Sequence, residues 1–147
     1  MPSKRSSGRR LAADQQPEFL IDRSLGRLTV PDALREVGLT VHTLAEVYGE
    51  KVAQDTEDVA WIKLAAQRGW VVLCKDDRIR RRPAERDALM EGKVRAFCLT
   101  NANLGFDAQA AYFTANRHRI LQAARKPGPY LYGVYKDTIK RLWPLDS

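Results

Sequence analysis

Asp22 ends the apolar run Phe19-Leu20-Ile21, and Asp76 follows the apolar run Trp70-Val71-Val72-Leu73-Cys74 by two residues. A carboxylate that closes a buried segment is expensive unless it is paired or holds a cation. Asp58 opens a stretch of helical spacing that leads into the second of these runs. The three acids have no histidine or cysteine cluster beside them. The ion they suit is therefore hard, Mg²⁺ or Mn²⁺, which takes oxygen ligands and keeps several waters. Such an ion lowers the pKa of a bound water and offsets charge on a phosphate. Each acid also has a plainer reading on its own. Asp58 can serve the dipole of its helix, and Asp76 and Asp77 can be turn residues. Asp77 and Glu46 are reserve ligands.

A basic run surrounds Asp76: Lys75, Arg78, Arg80, Arg81, Arg82 and Arg86. Beside a metal site such a run suits the backbone of a nucleic acid; elsewhere it would be a solvated surface. Arg23 and Arg27 extend the patch from the Asp22 side. On this reading the arginines serve RNA and the acids serve the metal, as two independent sets. Removing the crowded carboxylate of Asp76 is then expected to relieve repulsion in the metal-free protein. Tyr48 is a candidate for stacking on a base, or equally a half-buried loop aromatic. The formal net charge is +7, and more than half of it lies beyond the first 17 residues.

The elements that would carry these residues alternate. Strands are expected at Phe19–Ile21, Thr40–Leu44, Trp70–Cys74 and Arg95–Leu99, with a last, weak one at Tyr130–Tyr135, at a sheet edge. Helices are expected from Pro31 to Gly38, from about Glu57 to Arg68, and from Pro83 to Glu91. A long helix capped by Asp107 runs through Ala124, and a polar loop covers Glu46 to Asp55. Buried strands alternating with helices imply an α/β fold, a mainly parallel sheet covered on both faces. Sites in such sheets lie at the carboxyl ends of strands, where strand order reverses. If the first and third strands are neighbours, Asp22 and Asp76 share one crevice, and Asp58 begins its helix at the same edge.

The segments FLIDRSLG, TEDVAWIKLAAQRGWVVLCKDDRIRRRP and RAFCLT resemble the PIN-like domains, most closely the VapC-type toxins of bacterial toxin–antitoxin pairs. The resemblance covers Phe19 to Asn103, with Asp76 lying 18 residues beyond Asp58. It implies a PIN-like three-layer α/β/α sandwich with a mainly parallel central sheet. It also implies a Mg²⁺- or Mn²⁺-dependent endoribonuclease that leaves a 5′-phosphate, with catalytic Asp22, Asp58 and Asp76. A cognate antitoxin, DNA-binding and of helix-turn-helix type, would block the site. Two departures stand out: Arg23 follows Asp22 where the family has an acid pair, and the position after the fourth strand is Thr100 or Asn101.

The 147 residues suit one domain, over 18–147, preceded by a flexible basic arm over 1–17. The chain lacks a run of about 18 apolar residues and a secretory h-region, so a cytoplasmic protein without a membrane span is expected. Cys74 and Cys98 read as buried, reduced thiols. No P-loop, GxGxxG or serine nucleophile elbow occurs, which disfavours NTPases, dinucleotide enzymes and esterases. A phosphoacceptor receiver domain would want the acid pair that Asp22-Arg23 lacks. A non-catalytic RNA-binding or protein-interaction module on the same fold remains the alternative. The RNA target and the oligomeric state, homodimer or hetero-oligomer, are not legible.

Overall fold

The computed structural model describes residues 16–26, 28–101 and 103–145. All but the last two residues of the expected N-terminal arm lie outside the described residues, as does Arg27. The elements run β1 (Glu18–Ile21), α1 (Thr29–Glu36), β2 (Thr40–Thr43), α2 (Leu44–Tyr48), α3 (Glu50–Asp55), α4 (Asp58–Arg68), β3 (Val71–Cys74), α5 (Pro83–Glu91), β4 (Arg95–Leu99), α6 (Phe106–Ala115), α7 (Arg117–Ala123), β5 (Tyr130–Val134) and β6 (Ile139–Trp143). Short 3-10 turns follow β1 and β3, at Arg23–Leu25 and Asp77–Arg80.

The strands form one sheet in the order β2-β1-β3-β4-β5-β6. The pairings β1–β2, β1–β3, β3–β4 and β4–β5 are parallel, and β6 is antiparallel to β5. Successive strand side chains point to opposite faces, and here both faces are apolar. Phe19, Ile21, Val71, Leu73, Phe97 and Leu99 pack with Leu34 of α1, Phe113 of α6 and Ile120 of α7. Leu20, Val72, Cys74, Ala96 and Cys98 pack with residues of α2, α3, α4 and α5. The result is the expected three-layer sandwich. The chain leaves β1 for β2 on one side and returns to β3 on the other, so the order reverses between β1 and β3.

Four sequence expectations need correction. The polar stretch from Glu46 to Asp55 is helical: Thr43 and Glu46 form a reciprocal cap that starts α2, and Gly49, at φ 88°, separates α2 from α3. The long helix to Ala124 is broken at Asn116. This fully buried residue donates its amide to the carbonyls of Tyr112, at 2.9 Å, and Tyr135, at 2.8 Å, tying the break to the end of β5. Strand β5 is internal, because β6 covers it. The polar Lys140 and Arg141 hide that sixth strand from a search for apolar runs, and they suit an edge. Cys74 and Cys98 are register partners on β3 and β4 with Cα atoms 4.5 Å apart, and they are joined to each other rather than separate thiols.

At the amino edge of the sheet, Arg95 donates to the carbonyls of Gly69 and Ala124, at the ends of α4 and α7. A cation suits these negative helix ends. The amino edge is thereby committed to fastening helices, while the carboxyl edge carries the acids.

Replacing Asn116 by Ala should strip two carbonyls, those of half-buried Tyr112 and Tyr135, of its amide donor. The expected cost is about 2 kcal/mol, a fall in Tm of roughly 4–8 °C at this chain length. An unchanged Tm in thermal unfolding would show that the break is held by packing alone.

Candidate metal and nucleic-acid site

Asp22 continues β1 by one residue: its N–H donates to the Leu73 carbonyl of β3 at 3.0 Å. Leu20 faces the α4 side of the sheet, so alternation turns Asp22 to the same side. The same parity runs from Cys74 towards Asp76. Asp58 is the first residue of α4, which packs on that face. The structure thus brings Asp22, Asp58 and Asp76 to one edge and one face, as the sequence reading expected.

The three carboxylates are held differently. Asp22 is only 6% exposed, and the Ser24 hydroxyl donates to it at 2.6 Å. Burial, seconded by the negative charge of Asp58, pushes its pKa above the ordinary value, against the pull of Ser24 and Arg23. Asp58 accepts from the Trp61 indole at 2.9 Å, one helical turn on, which orients it. Asp76 caps the 3-10 turn through the Arg78 N–H, at 3.0 Å. It also takes the Arg78 Nε at 2.9 Å and Arg82 Nη2 at 2.7 Å. Burial raises its pKa, but these hydrogen bonds and charges outweigh burial and hold it below the usual carboxylate range.

This corrects the expectation that Asp76 is the crowded acid. A depressed pKa means that ionised Asp76 stabilises the fold above its unfolded value. The acid in excess is Asp22. The arginines are likewise not independent of the acids. Arg82 reaches Asp58 at 3.5 Å and Asp76 at 2.7 Å, and Arg80 is tied to Asp77 at 2.9 Å. Arg23 donates to the carbonyls of Ala53 and Thr56, fastening the end of β1 to the α3–α4 junction. Lys75 is half-buried and Arg78, Arg81 and Arg86 are exposed, so the outward part of the basic set is smaller than the sequence suggests.

The remaining candidates are Glu46, Tyr48, Thr100 and Asn101. Glu46 caps α2 and pairs with Arg35 at 2.9 Å; burial raises its pKa, but these contacts outweigh it and lower the net value. Tyr48 is half-buried and packs against the α4-side core. Thr100 is half-buried, and Asn101 accepts from the Asn103 N–H in a local turn. Ser24, Trp61 and the inward role of Arg82 were missed from sequence. The signals were present: Ser24 lies two residues after Asp22, and Trp61 lies three after Asp58, one helical turn. Arg82 immediately precedes the helix that starts from the same edge.

Among the described residues, no three histidine, cysteine or acidic side chains already stand close enough to enclose an ion. The donor set nevertheless fits a hard divalent cation. It is all carboxylate, and its buried member is pushed towards protonation by burial first and by a neighbouring acid second. A guanidinium bridges the other two. A cavity of about 430 Å³ lies at the end of β1, lined in part by Ile21, Arg23, Ser24, Thr43, Glu50 and Ala53 and by none of the three acids. No helix among the described residues is long and apolar enough to cross a membrane.

The chain belongs to the PIN-like domain family, whose model matches residues 17–101. That span begins just before β1 and ends just after β4, so it holds all three acids. Within the family the chain is similar to a protein of Mycobacterium tuberculosis (strain ATCC 25618 / H37Rv) named "Putative ribonuclease VapC45". The two are 40% identical over 134 residues, 91% of this chain and 96% of that protein. The resemblance to VapC-type PIN-like domains is thus borne out. No solved structure matches the chain.

Because the folded pKa of Asp22 lies above its unfolded value, ionised Asp22 detracts from stability at neutral pH. That cost is relieved as pH falls through the folded pKa. Asp22→Asn keeps an acceptor for Ser24 and removes the charge. It should raise the Tm of metal-free protein at pH 7 by at least about 2 °C and flatten the pH dependence above 3.8. A lower Tm at pH 7 would show that the charged form is the favoured one.

Proposed function

We propose that this chain is the toxin of a toxin–antitoxin pair, an endoribonuclease that hydrolyses RNA phosphodiester bonds at a Mg²⁺ or Mn²⁺ site made by Asp22, Asp58 and Asp76. The observation that carries the reading is Asp22. Its carboxylate is almost fully buried, beside Asp58, at the point where strand order reverses, and burial holds its pKa above the ordinary value despite Ser24 and Arg23. A buried anion in that condition calls for a cation. The PIN-like family and the ribonuclease name of the mycobacterial relative support the same chemistry.

A bound Mg²⁺ or Mn²⁺ would supply an activated water and charge compensation at the scissile phosphate. The chain's own residues do the positioning. Ser24 orients Asp22, Trp61 orients Asp58, and the 3-10 turn fixes Asp76. Asp77 is a reserve ligand only if Arg80 releases it. The exposed Arg78 and Arg81 and the half-buried Lys75 are placed to meet the RNA backbone, which acids alone would repel. The cavity at the end of β1 gives the neighbouring nucleotide a recess with both apolar walls and polar groups. A cognate antitoxin, DNA-binding and of helix-turn-helix type, would cover this edge in the cytoplasm.

Purified protein should cut RNA with Mn²⁺ or Mg²⁺ and stop in excess chelator. Asp76→Asn should lower the rate on the order of 10²-fold or more and lose most of the Mn²⁺-induced gain in Tm that wild type shows. It should also be less stable than wild type without metal, because its hydrogen bonds from Arg78 and Arg82 lose the charge of the carboxylate. Cleavage by the variant at the wild-type rate, or by wild type undiminished in chelator, would overturn the reading and favour a non-catalytic RNA-binding module.

A further inference from the structure

Arg82 is the residue before Pro83, and its backbone is extended, at φ −79° and ψ 128°. A proline restricts the preceding residue to this region, so the stem of Arg82 leaves the backbone in a defined direction. It leads to two acids from different elements. Nη2 meets Asp76 at 2.7 Å, and Nη1 meets Asp58 at 3.5 Å. The rigid fork of a guanidinium serves two carboxylates in a way an ammonium does not. Asp22, the third acid, appears in none of its ion pairs, and its pKa still registers the charge of Asp58.

We propose that Arg82 is a built-in counter-cation of the acid cluster: it bridges Asp58 and Asp76 when no metal is bound, and a divalent ion must displace it to bind. The proposal rests on the reading of Asp22, Asp58 and Asp76 as metal ligands. The exchange is physically reasonable on charge. One guanidinium faces two of the three carboxylates, whereas a divalent ion held by Asp22, Asp58 and Asp76 would carry twice the charge. The displaced side chain has somewhere to go. Glu85, one helical turn on, lies 3.9 Å from Nη1, and the Arg82 side chain is 38% exposed. Arg82 therefore acts as a positioning residue that sets metal affinity, and its removal should tighten metal binding although it breaks two ion pairs.

The test is calorimetric titration of Mn²⁺ into the full chain without RNA, for wild type, Arg82→Ala, Arg82→Gln and Arg81→Ala. Arg82→Ala should bind Mn²⁺ more tightly by on the order of tenfold and should have a lower Tm without metal. Arg82→Gln, which keeps length and polarity without charge, should show the same tightening and serves if the Ala variant is too unstable to titrate. Arg81→Ala removes the same charge from an exposed neighbour that touches none of the three acids, and should change the Kd much less. Equal Kd values for wild type and both Arg82 variants, or an equal gain in Arg81→Ala, would overturn the counter-cation role while leaving the metal site intact. Absence of Mn²⁺ binding in every variant, wild type included, would overturn the metal site and this inference together.

Discussion

The hydrogen bond from the Asp22 N–H to the Leu73 carbonyl extends the pairing of β1 with β3 one step past the end of β1. Everything at the carboxyl edge depends on that pairing. It sets the register that turns Asp22 to the α4 side. It brings Asp76, beyond β3, within reach of the same crevice. It also makes β3 the return strand of α4, so that Asp58, at the start of that helix, lies at the same edge as the ends of β1 and β3. Parallel pairing through buried, apolar strands leaves little freedom for slippage, since a shift by one residue would move Phe19 and Ile21 from one core to the other.

Around this frame the charges are arranged unequally. Asp76 is surrounded by donors and is comfortable as an anion, whereas Asp22 is anionic only against burial and its neighbour. A fold that spent its residues on stability alone would have put an apolar or amide side chain at position 22. The expense is confined to one edge. At the other edge the half-buried guanidinium of Arg95 closes the ends of two helices and meets carbonyls at both. The two edges show the difference between a polar group that completes the fold and one that leaves a demand for a partner.

The layers and the parallel sheet were legible because apolar runs of strand length alternate with helical spacing, whereas the neighbouring of β1 and β3 was only a condition there and is supplied by the strand order. The acids were legible because they interrupt or follow those runs. What the sequence hid has physical reasons. The caps of α2 act through side-chain to backbone bonds, so a stretch that looks polar and aperiodic is helical. Asn116 breaks a helix by reaching a carbonyl 19 residues away, a contact no local pattern contains. Strand β6 is half polar because one side of it borders no further strand. Arg82 reads as one member of a basic run, and only the direction of its side chain separates it from Arg81.

The three acids also have an order in time. They come from chain segments that are far apart in sequence, and the pairing that unites them closes a long loop from Ile21 to Leu73. Closing such a loop has an entropic cost that must be met before any contact across it is made, and parallel strands form late for that reason. Until that loop closes, Asp22 and Asp76 belong to segments that make no contact through the sheet. The three acids therefore share one edge only in a chain in which β3 has paired with β1.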